Sequence, residues 1–184
     1  MAWLIPLGIL LLVLMIFIGM YNGLVSIRNH CDEAWSNIDT ELQRRYDLIP
    51  NLVETAKGYA KHERELLEDV VKLREKAAGN HGAVASQAID ENMLQNALGK
   101  LMVRLEAYPD LKASANFVEL QKELANTENR IQAALRFYNG NVRENNNKME
   151  QFPSNVVAGM FSFTNRDYFE LENPDARTAP KVAF

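Results

Sequence analysis

The run WLIPLGILLLVLMIFIGMY, residues 3–21, contains no charged side chain and constrains how the rest of the chain is arranged. An α-helix rises about 1.5 Å per residue and needs roughly 20 apolar residues to cross the hydrocarbon core of a bilayer. Residues 22–27 add no charge, so the segment is long enough. Trp3 and Tyr21 stand at the ends of the run, where amphipathic rings favour the lipid headgroups. We therefore predict a transmembrane anchor over residues 1–27, with Trp3 and Tyr21 at the membrane interfaces and the lipid bilayer as a partner.

Two other interpretations of an apolar amino-terminal segment are disfavoured. A cleaved signal peptide has a basic start, a shorter apolar stretch and a small-x-small cleavage site. None of these features is found in this segment. Lipid attachment at Cys31 requires small apolar residues before the cysteine, where this chain has Arg28-Asn29-His30. The sequence therefore favours an uncleaved anchor.

The charges beside the anchor indicate its orientation. No Lys or Arg precedes the apolar run, whereas Arg28 follows it and Arg44 and Arg45 come within about 20 residues. Basic residues near a span favour the cytoplasmic side. Acidic residues are interspersed among these arginines, so the bias is small, and we predict a cytoplasmic body on that bias.

Beyond residue 27 the chain is mildly acidic and mixed in sign. Its 20 Lys and Arg residues and 24 Asp and Glu residues give a formal net charge of −4, all of it after the anchor. Binding to nucleic acid needs a basic stripe, so nucleic acid is excluded as the main partner. A single cysteine excludes an intrachain disulfide framework and a metal site made of clustered cysteines.

The apolar residues of the body recur in steps of three and four, which is the spacing of one face of an amphipathic helix. The first run begins at Trp35 and ends near residues 77–78, before a glycine-containing loop at residues 79–82. Pro50 interrupts this run, because its ring removes a hydrogen bond and disfavours helix at the preceding residue. The sequence leaves open whether Pro50 kinks one long helix or separates two.

Two further helical runs follow. The second occupies residues 94–108 and stops at Pro109. The third is the most regular and predicts a helix over residues 114–150, in which Thr127 and Asn145 take positions on the apolar stripe.

Long amphipathic helices cannot bury their apolar faces alone. We therefore predict an all-α fold, in which an N-terminal transmembrane helix is followed by an antiparallel bundle of three to four long helices over residues 28–152. Residues 153–184 lose the helical pattern but keep the aromatic residues Phe161, Phe163, Tyr168, Phe169 and Phe184. Disordered tails are usually poor in aromatic residues. This segment is predicted to be an irregular, extended strap that packs on the bundle or on a neighbouring subunit.

The sequence contains no pattern that assembles catalytic chemistry. His62-Glu63 opens like a zinc-protease helix motif, but Leu66 stands where the second histidine is required. His30 and Cys31 are adjacent on a predicted helix, so they do not converge as a nucleophile and its base, and we interpret them as solvated residues at the membrane surface. Neither a phosphate loop nor the Glu-x-x-His pairs of a di-iron bundle are present. We predict a protein that is not an enzyme and uses no metal or cofactor.

Polar residues in or beside the apolar stripes form the candidate site. They are Arg44, Arg45, Asp47 and Asn51 around Pro50, and Glu128, Arg136 and Asn139 along the third helix. One interpretation is a structural network of interhelical hydrogen bonds that fixes helix register. The other is a contact surface for a partner. Acidic and basic residues on facing helices commonly satisfy one another, which favours the network.

A set of longer motifs recurs along the chain and resembles the signature of a known family. The motifs are Asn29-x-x-x-Glu33-Ala34-Trp35-x-x-Ile38-Asp39, Arg44-Arg45-x-Asp47-Leu48-Ile49-Pro50-Asn51-Leu52-Val53, Gly58-Tyr59-Ala60-x-His62-Glu63, Glu106-Ala107-Tyr108-Pro109-x-Leu111-Lys112-Ala113, Leu120-Gln121-x-x-Leu124-x-x-Thr127-Glu128-Asn129-x-Ile131, Arg136-Phe137-Tyr138-Asn139, Phe152-Pro153 and Val182-x-Phe184. Together they resemble the LemA family over nearly the whole chain, anchor included.

The resemblance implies a bacterial, single-pass protein of the cell (inner) membrane, with a helical-bundle body and no established enzymatic activity. It also implies a relative associated with magnetosome membranes, and genes often placed near envelope or membrane-protease functions. We expect a self-assembling scaffold or organiser that forms homo-oligomers, because a membrane anchor concentrates subunits in one plane. The alternative is an adaptor or regulator of a membrane enzyme or protease, with residues 44–51 contacting a membrane protein partner.

Overall fold

The computed structural model describes residues 3–171 and is all-α over that range. The helices are α1 (Leu4–Lys57), α2 (Arg64–Ala78), α3 (Val84–Leu105), α4 (Pro109–Lys112), α5 (Ala115–Glu150) and α6 (Ser154–Met160), with a 3-10 turn at Lys61–Glu63 before α2. The predicted fold class, an apolar amino-terminal helix followed by bundled helices, is confirmed. Phe184, the last aromatic residue of the predicted strap, lies outside the described residues.

Pro50 neither ends nor divides α1, which continues to Lys57. A proline inside a helix cannot donate to the carbonyl four residues earlier, which here belongs to Tyr46. Arg74 on α2 donates its Nε–H to this Tyr46 carbonyl oxygen at 3.1 Å. A side chain from the next helix therefore replaces the hydrogen bond that is missing at Pro50. Pro50 does not separate two helices, because α1 is continuous through it.

The first predicted run is instead interrupted at residues 58–60. The backbone amides of Tyr59 and Ala60 both donate to the carbonyl of Ala56, at 3.0 and 2.8 Å, and the chain then turns into α2. Gly58 contributes to this interruption, since glycine is among the weakest helix formers. The apolar stripe did not reveal the turn because apolar residues continue on both sides of it. The predicted end near residues 77–78 is confirmed by α2, which ends at Ala78.

The described residues form two compact units. The anchor unit comprises residues 3–40 and 132–168, and the bundle unit comprises residues 41–131 and 169–171. The proposed division of the chain at residues 27 and 152 stays a prediction.

The bundle unit contains α2, α3, α4 and the parts of α1 and α5 that fall within residues 41–131. Lys76 near the end of α2 pairs with Asp90 near the start of α3 at 2.8 Å. Tyr108, just after α3, donates to Glu63, just before α2, at 3.2 Å. The two contacts lie at opposite ends of the pair, so α2 and α3 are antiparallel. The core is apolar and includes Ile49, Leu52, Val53, Leu67, Val70, Leu94, Leu101, Leu105, Leu111, Phe117 and Ile131.

In the anchor unit, α1 and α5 also run antiparallel. Trp35 packs on Tyr138 with ring centroids 5.4 Å apart. Leu24, which is nearer the start of α1, belongs to a buried cluster against which Met149, near the end of α5, packs. The predicted third helix over residues 114–150 is confirmed by α5, which spans Ala115–Glu150.

The segment predicted to be extended begins with a short helix, α6. Val157 and Ala158 of α6 are buried against Leu24 of α1. Residues 161–171 contain no helix or strand after the turn that ends α6. From here on, the name strap is used only for residues 161–168, the non-helical residues of this segment that belong to the anchor unit, and no longer for the whole predicted segment 153–184.

Candidate functional site

Arg45 is the centre of a buried polar network in the bundle unit. The Arg45 side chain on α1 is 2% exposed and pairs with Glu91 on α3, which is fully buried. It also donates from Nη1 to Glu128 Oε2 on α5 at 3.1 Å. Tyr46 donates its hydroxyl to Glu91 Oε1, and Gln95 donates its amide to Glu128 Oε1 at 3.4 Å. One guanidinium therefore joins three helices of the bundle.

The chemistry of this network is charge compensation. Taking an ionised carboxylate or guanidinium out of water costs several kcal/mol unless the charge is paired and hydrogen-bonded. Arg45 meets two carboxylates through different nitrogens, an arrangement that its planar fork of donors favours. A guanidinium stays protonated in proteins and cannot act as a general base. The network therefore links α1, α3 and α5 through paired charges. That Arg45 and Glu128 fix the register of the helices stays a prediction.

Glu91, the most buried member of the network, is not among the residues predicted from the sequence. The second helical run was traced from Leu94, but stepping back by three residues from Leu94 reaches Glu91 and then Ala88. All three are buried in the structure. The sequence did contain a signal for Glu91, namely a carboxylate at a position of the apolar stripe. A carboxylate buried at such a position needs a cation as its partner.

Three of the other candidate residues share an exposed face of α1. Arg44, Asp47 and Asn51 follow one another in steps of three and four, and all are exposed. Arg44 lies 3.9 Å from Glu41, and Asp47 accepts a hydrogen bond from Gln43 at 2.8 Å. These are contacts within one helix, so the structure does not bring the three residues into the Arg45 network.

The last two candidates, Arg136 and Asn139, lie on α5 in the anchor unit. Arg136 is exposed and Asn139 is half-buried. Neither belongs to the bundle unit that contains the Arg45 network. Within residues 3–171, no group of three or more His, Cys, Asp or Glu side chains is placed to hold a metal ion.

Cys31 is fully buried, so the prediction of a solvated residue at the membrane surface was wrong. Steps of three and four from Ile27 reach Cys31 and then Ala34, which places Cys31 on the buried stripe of α1. Burial raises the pKa of the Cys31 thiol and raises the pKa of the Tyr138 hydroxyl to about 12. The Tyr138 hydroxyl donates to the carbonyl of Asp167 at 3.1 Å. Both groups stay protonated at neutral pH and serve packing.

Two asparagines near the end of α5 hold the strap. Asn146 donates its amide to the Arg166 carbonyl at 3.0 Å and accepts from the Arg166 backbone amide at 2.9 Å. Asn145, buried on α5, donates to the carbonyl of Thr164 at 3.3 Å. The Arg166 side chain pairs with Asp32 on α1 at 2.7 Å. The strap is therefore fixed to α5 through its backbone and to α1 through the Arg166 side chain.

Replacing Asn146 with alanine is expected to loosen the strap. The substitution removes two hydrogen bonds to Arg166, and a typical hydrogen bond contributes about 0.5–1.5 kcal/mol. Backbone amides of residues 164–168 should therefore exchange with deuterium about 10-fold faster or more, as measured by mass spectrometry. The matched control is Asn147→Ala at the neighbouring exposed position. Equal exchange in the two variants would contradict the role assigned to Asn146.

The beginning of the strap packs on the apolar part of α1. The Phe161 ring lies 6.0 Å from that of Phe17 and 4.7 Å from that of Tyr21, measured between centroids. Phe163 lies 5.9 Å from Tyr21, and the Arg28 guanidinium stands over Phe163 at 5.5 Å. Tyr21, predicted at a membrane interface, is thus enclosed by two aromatic residues of the strap.

Before Phe17, α1 is apolar around its whole circumference. Exposed side chains there are Leu4, Ile5, Leu7, Ile9, Leu10, Leu11, Leu12, Val13, Leu14, Met15 and Ile16. Trp3, predicted at the other interface, is also exposed. Within the described range, α1 is the helix whose length and composition suffice to cross a membrane. A helix that is apolar all round is suited to lipid or to a large protein core.

Comparisons with known proteins agree with the motifs described above. A family model described as LemA family matches residues 34–184. The chain is 28% identical to Protein LemA of Metamycoplasma hominis, over 89% of this chain and 76% of that protein. It is 26% identical to Magnetosome protein MamQ 2 of Paramagnetospirillum magneticum and 25% identical to Magnetosome protein MamQ of Magnetospirillum gryphiswaldense. Each of these two alignments covers 86% of this chain and 67% of the relative.

Proposed function

The chain belongs to the LemA family and is a membrane-associated helical protein, and on this premise we propose that it is a non-enzymatic scaffold. In this proposal a single helix anchors it in the bacterial inner membrane, the body lies in the cytoplasm, and copies of the chain assemble with one another.

The observation that carries the proposal is the uninterrupted course of α1. The helix begins in an uncharged, wholly apolar segment and ends at Lys57, within the bundle unit. An anchor of this kind confines subunits to one plane and raises their effective concentration without any additional contact. Weak lateral contacts are then sufficient for assembly.

Exposed apolar side chains outside the anchor supply such contacts. Ile89 and Met93 are one turn apart on α3 and both are exposed. Val103, further along α3, and Val118 on α5 are exposed as well. Apolar residues spaced along a helix are a common basis for helix-to-helix association. They support self-association of the bundle unit.

A second candidate function is that of an adaptor for a membrane enzyme or protease. Its support is the exposed polar face formed by Arg44, Asp47 and Asn51 on α1. Polar faces of this kind favour specific, electrostatically guided contacts with a partner. Two relatives are magnetosome proteins, so the family includes members that work at a specialised membrane, as an adaptor would.

Photo-crosslinking in cells tests the two functions together. A photo-reactive amino acid is placed at Ile89 or at Arg44, and an equivalent probe at the exposed Lys72 of α2 serves as the control. Self-crosslinks from Ile89 that exceed those from Lys72 are the expected result for a scaffold. One dominant band with a foreign protein from Arg44, without self-crosslinks, would replace the scaffold by the adaptor.

The side of the membrane that holds the body is tested in the same cells. A cysteine that replaces Lys72 should resist a membrane-impermeant thiol reagent if the body is cytoplasmic, and its labelling would contradict that orientation.

A further inference from the structure

Two uncharged segments of the chain pack against each other in the anchor unit. One is the first part of α1, which has no charged side chain before Arg28. The other is residues 151–165, which have none between Glu150 and Arg166. The second segment contains α6 and most of the strap, and it packs on residues 17–24 of α1. An uncharged segment of this length is unusual on a surface that faces water on all sides.

Charged side chains reappear at the same end of both segments. Arg28, the first charge on α1, stands over the Phe163 ring. Arg166, the first charge after the strap begins, pairs with Asp32 one turn beyond Arg28. At this end the two segments meet charged side chains at a common level along the α1 axis, whereas Glu150, at the other end of the second segment, follows Met149 beside the Leu24 cluster.

α6 has an apolar face that no described part of the chain covers. Val157 and Ala158 point to α1, whereas Val156 and Met160 are 53% and 65% exposed and lie one turn apart. Phe161, which follows α6, is also exposed over nearly half of its surface. These side chains form a continuous apolar patch beside the apolar surface of α1.

The position of this patch along α1 determines how deep the patch lies in the bilayer. Tyr21 has the character of an interfacial residue, and Phe17 lies one turn, about 6 Å, further from the charged end of α1. Phe161 contacts both of these rings. When the span lies in a bilayer with Tyr21 at the headgroups, Phe161 and the end of α6 are at headgroup level or deeper.

We propose that α6 and the residues beside it, 152–161, insert into the same membrane leaflet as the charged end of the span. Their occupant is lipid: acyl chains cover Val156, Met160 and Phe161, and the headgroups lie at the level of Phe163 and Arg28. The inference rests on the proposed membrane anchoring. It adds a second lipid contact, which fixes the rotation of α1 about its axis and turns a fixed side of the anchor unit towards the membrane.

Spin-label accessibility in the full chain tests this insertion. Single cysteines replace Met160, Leu12 or Lys72 in a Cys31→Ala background, and the labelled proteins are reconstituted in vesicles of phosphatidylethanolamine and phosphatidylglycerol. Oxygen partitions into lipid and a nickel chelate stays in water, so the ratio of their collision rates reports the surroundings of each label. Leu12 is the lipid reference and Lys72 is the water reference.

The expected result is that the label at Met160 resembles Leu12, with an oxygen preference at least several-fold above that of Lys72. If Leu12 reports lipid and Met160 reports water, the insertion of α6 is overturned and the anchor stands. If Leu12 also reports water, both proposals are overturned. A label at Met160 that is immobilised and shielded from both reagents indicates protein contact, such as a second copy, and also overturns the lipid proposal.

Discussion

Replacing Arg45 with alanine is expected to lower the free energy of unfolding by about 3–5 kcal/mol, because it leaves a buried carboxylate without its counter-charge. Glu91 is fully buried, and Tyr46, which also donates to it, supplies a neutral hydroxyl. The loss is measured by chemical denaturation of the full chain in detergent, followed by circular dichroism, as a shift of the midpoint at constant slope.

The matched control is Arg44→Ala, which removes the same side chain from the neighbouring position. Arg44 is exposed and lies 3.9 Å from Glu41, so its removal should change the free energy of unfolding by about 1 kcal/mol or less. Adding Glu91→Gln to Arg45→Ala should recover part of the loss, because a neutral amide is less costly to bury than an unpaired carboxylate. Equal effects of Arg45→Ala and Arg44→Ala would contradict the network.

Replacing both Leu12 and Ile16 with aspartate is expected to abolish stable membrane insertion. On the scale measured for helix insertion, an aspartate at the centre of a span costs about 2.5–3.5 kcal/mol, while leucine or isoleucine contributes roughly −0.3 to −0.6 kcal/mol. The pair of changes therefore costs roughly 6–8 kcal/mol. The two positions are one turn apart on α1 and both are exposed, so no described contact of the anchor unit is lost. The protein is synthesised in the presence of inner-membrane vesicles, and the fraction that resists carbonate extraction is measured.

The control carries the same two charges on the bundle unit, as Ile89→Asp with Val103→Asp. These residues are exposed on α3, so the control chain should be retained as well as the unchanged protein. If the Leu12 and Ile16 variant is also retained after carbonate treatment, α1 is not the anchor, and the proposed function loses its premise.

The amino-acid sequence alone determined the apolar segment, the helical class and the limits of α5. Each is a property of one stretch of chain: its length without charge or the three-to-four spacing of its apolar residues. The same spacing placed Thr127 and Asn145 on the buried stripe, and the structure buries both.

The tertiary structure decided which residues meet. The spacing of apolar residues shows that a face is buried but not what it is buried against. For this reason Arg45 and Glu128 were candidates while Glu91, 46 positions beyond Arg45 in the chain, was missed. Arg74 donates to the carbonyl that Pro50 leaves without a partner, and Asn146 binds the backbone of Arg166. Both contacts join residues that are far apart in the chain, so neither produces a pattern in the local sequence. Periodicity is a local property, whereas the partner of a buried charge or a freed carbonyl is set by the packing of distant segments.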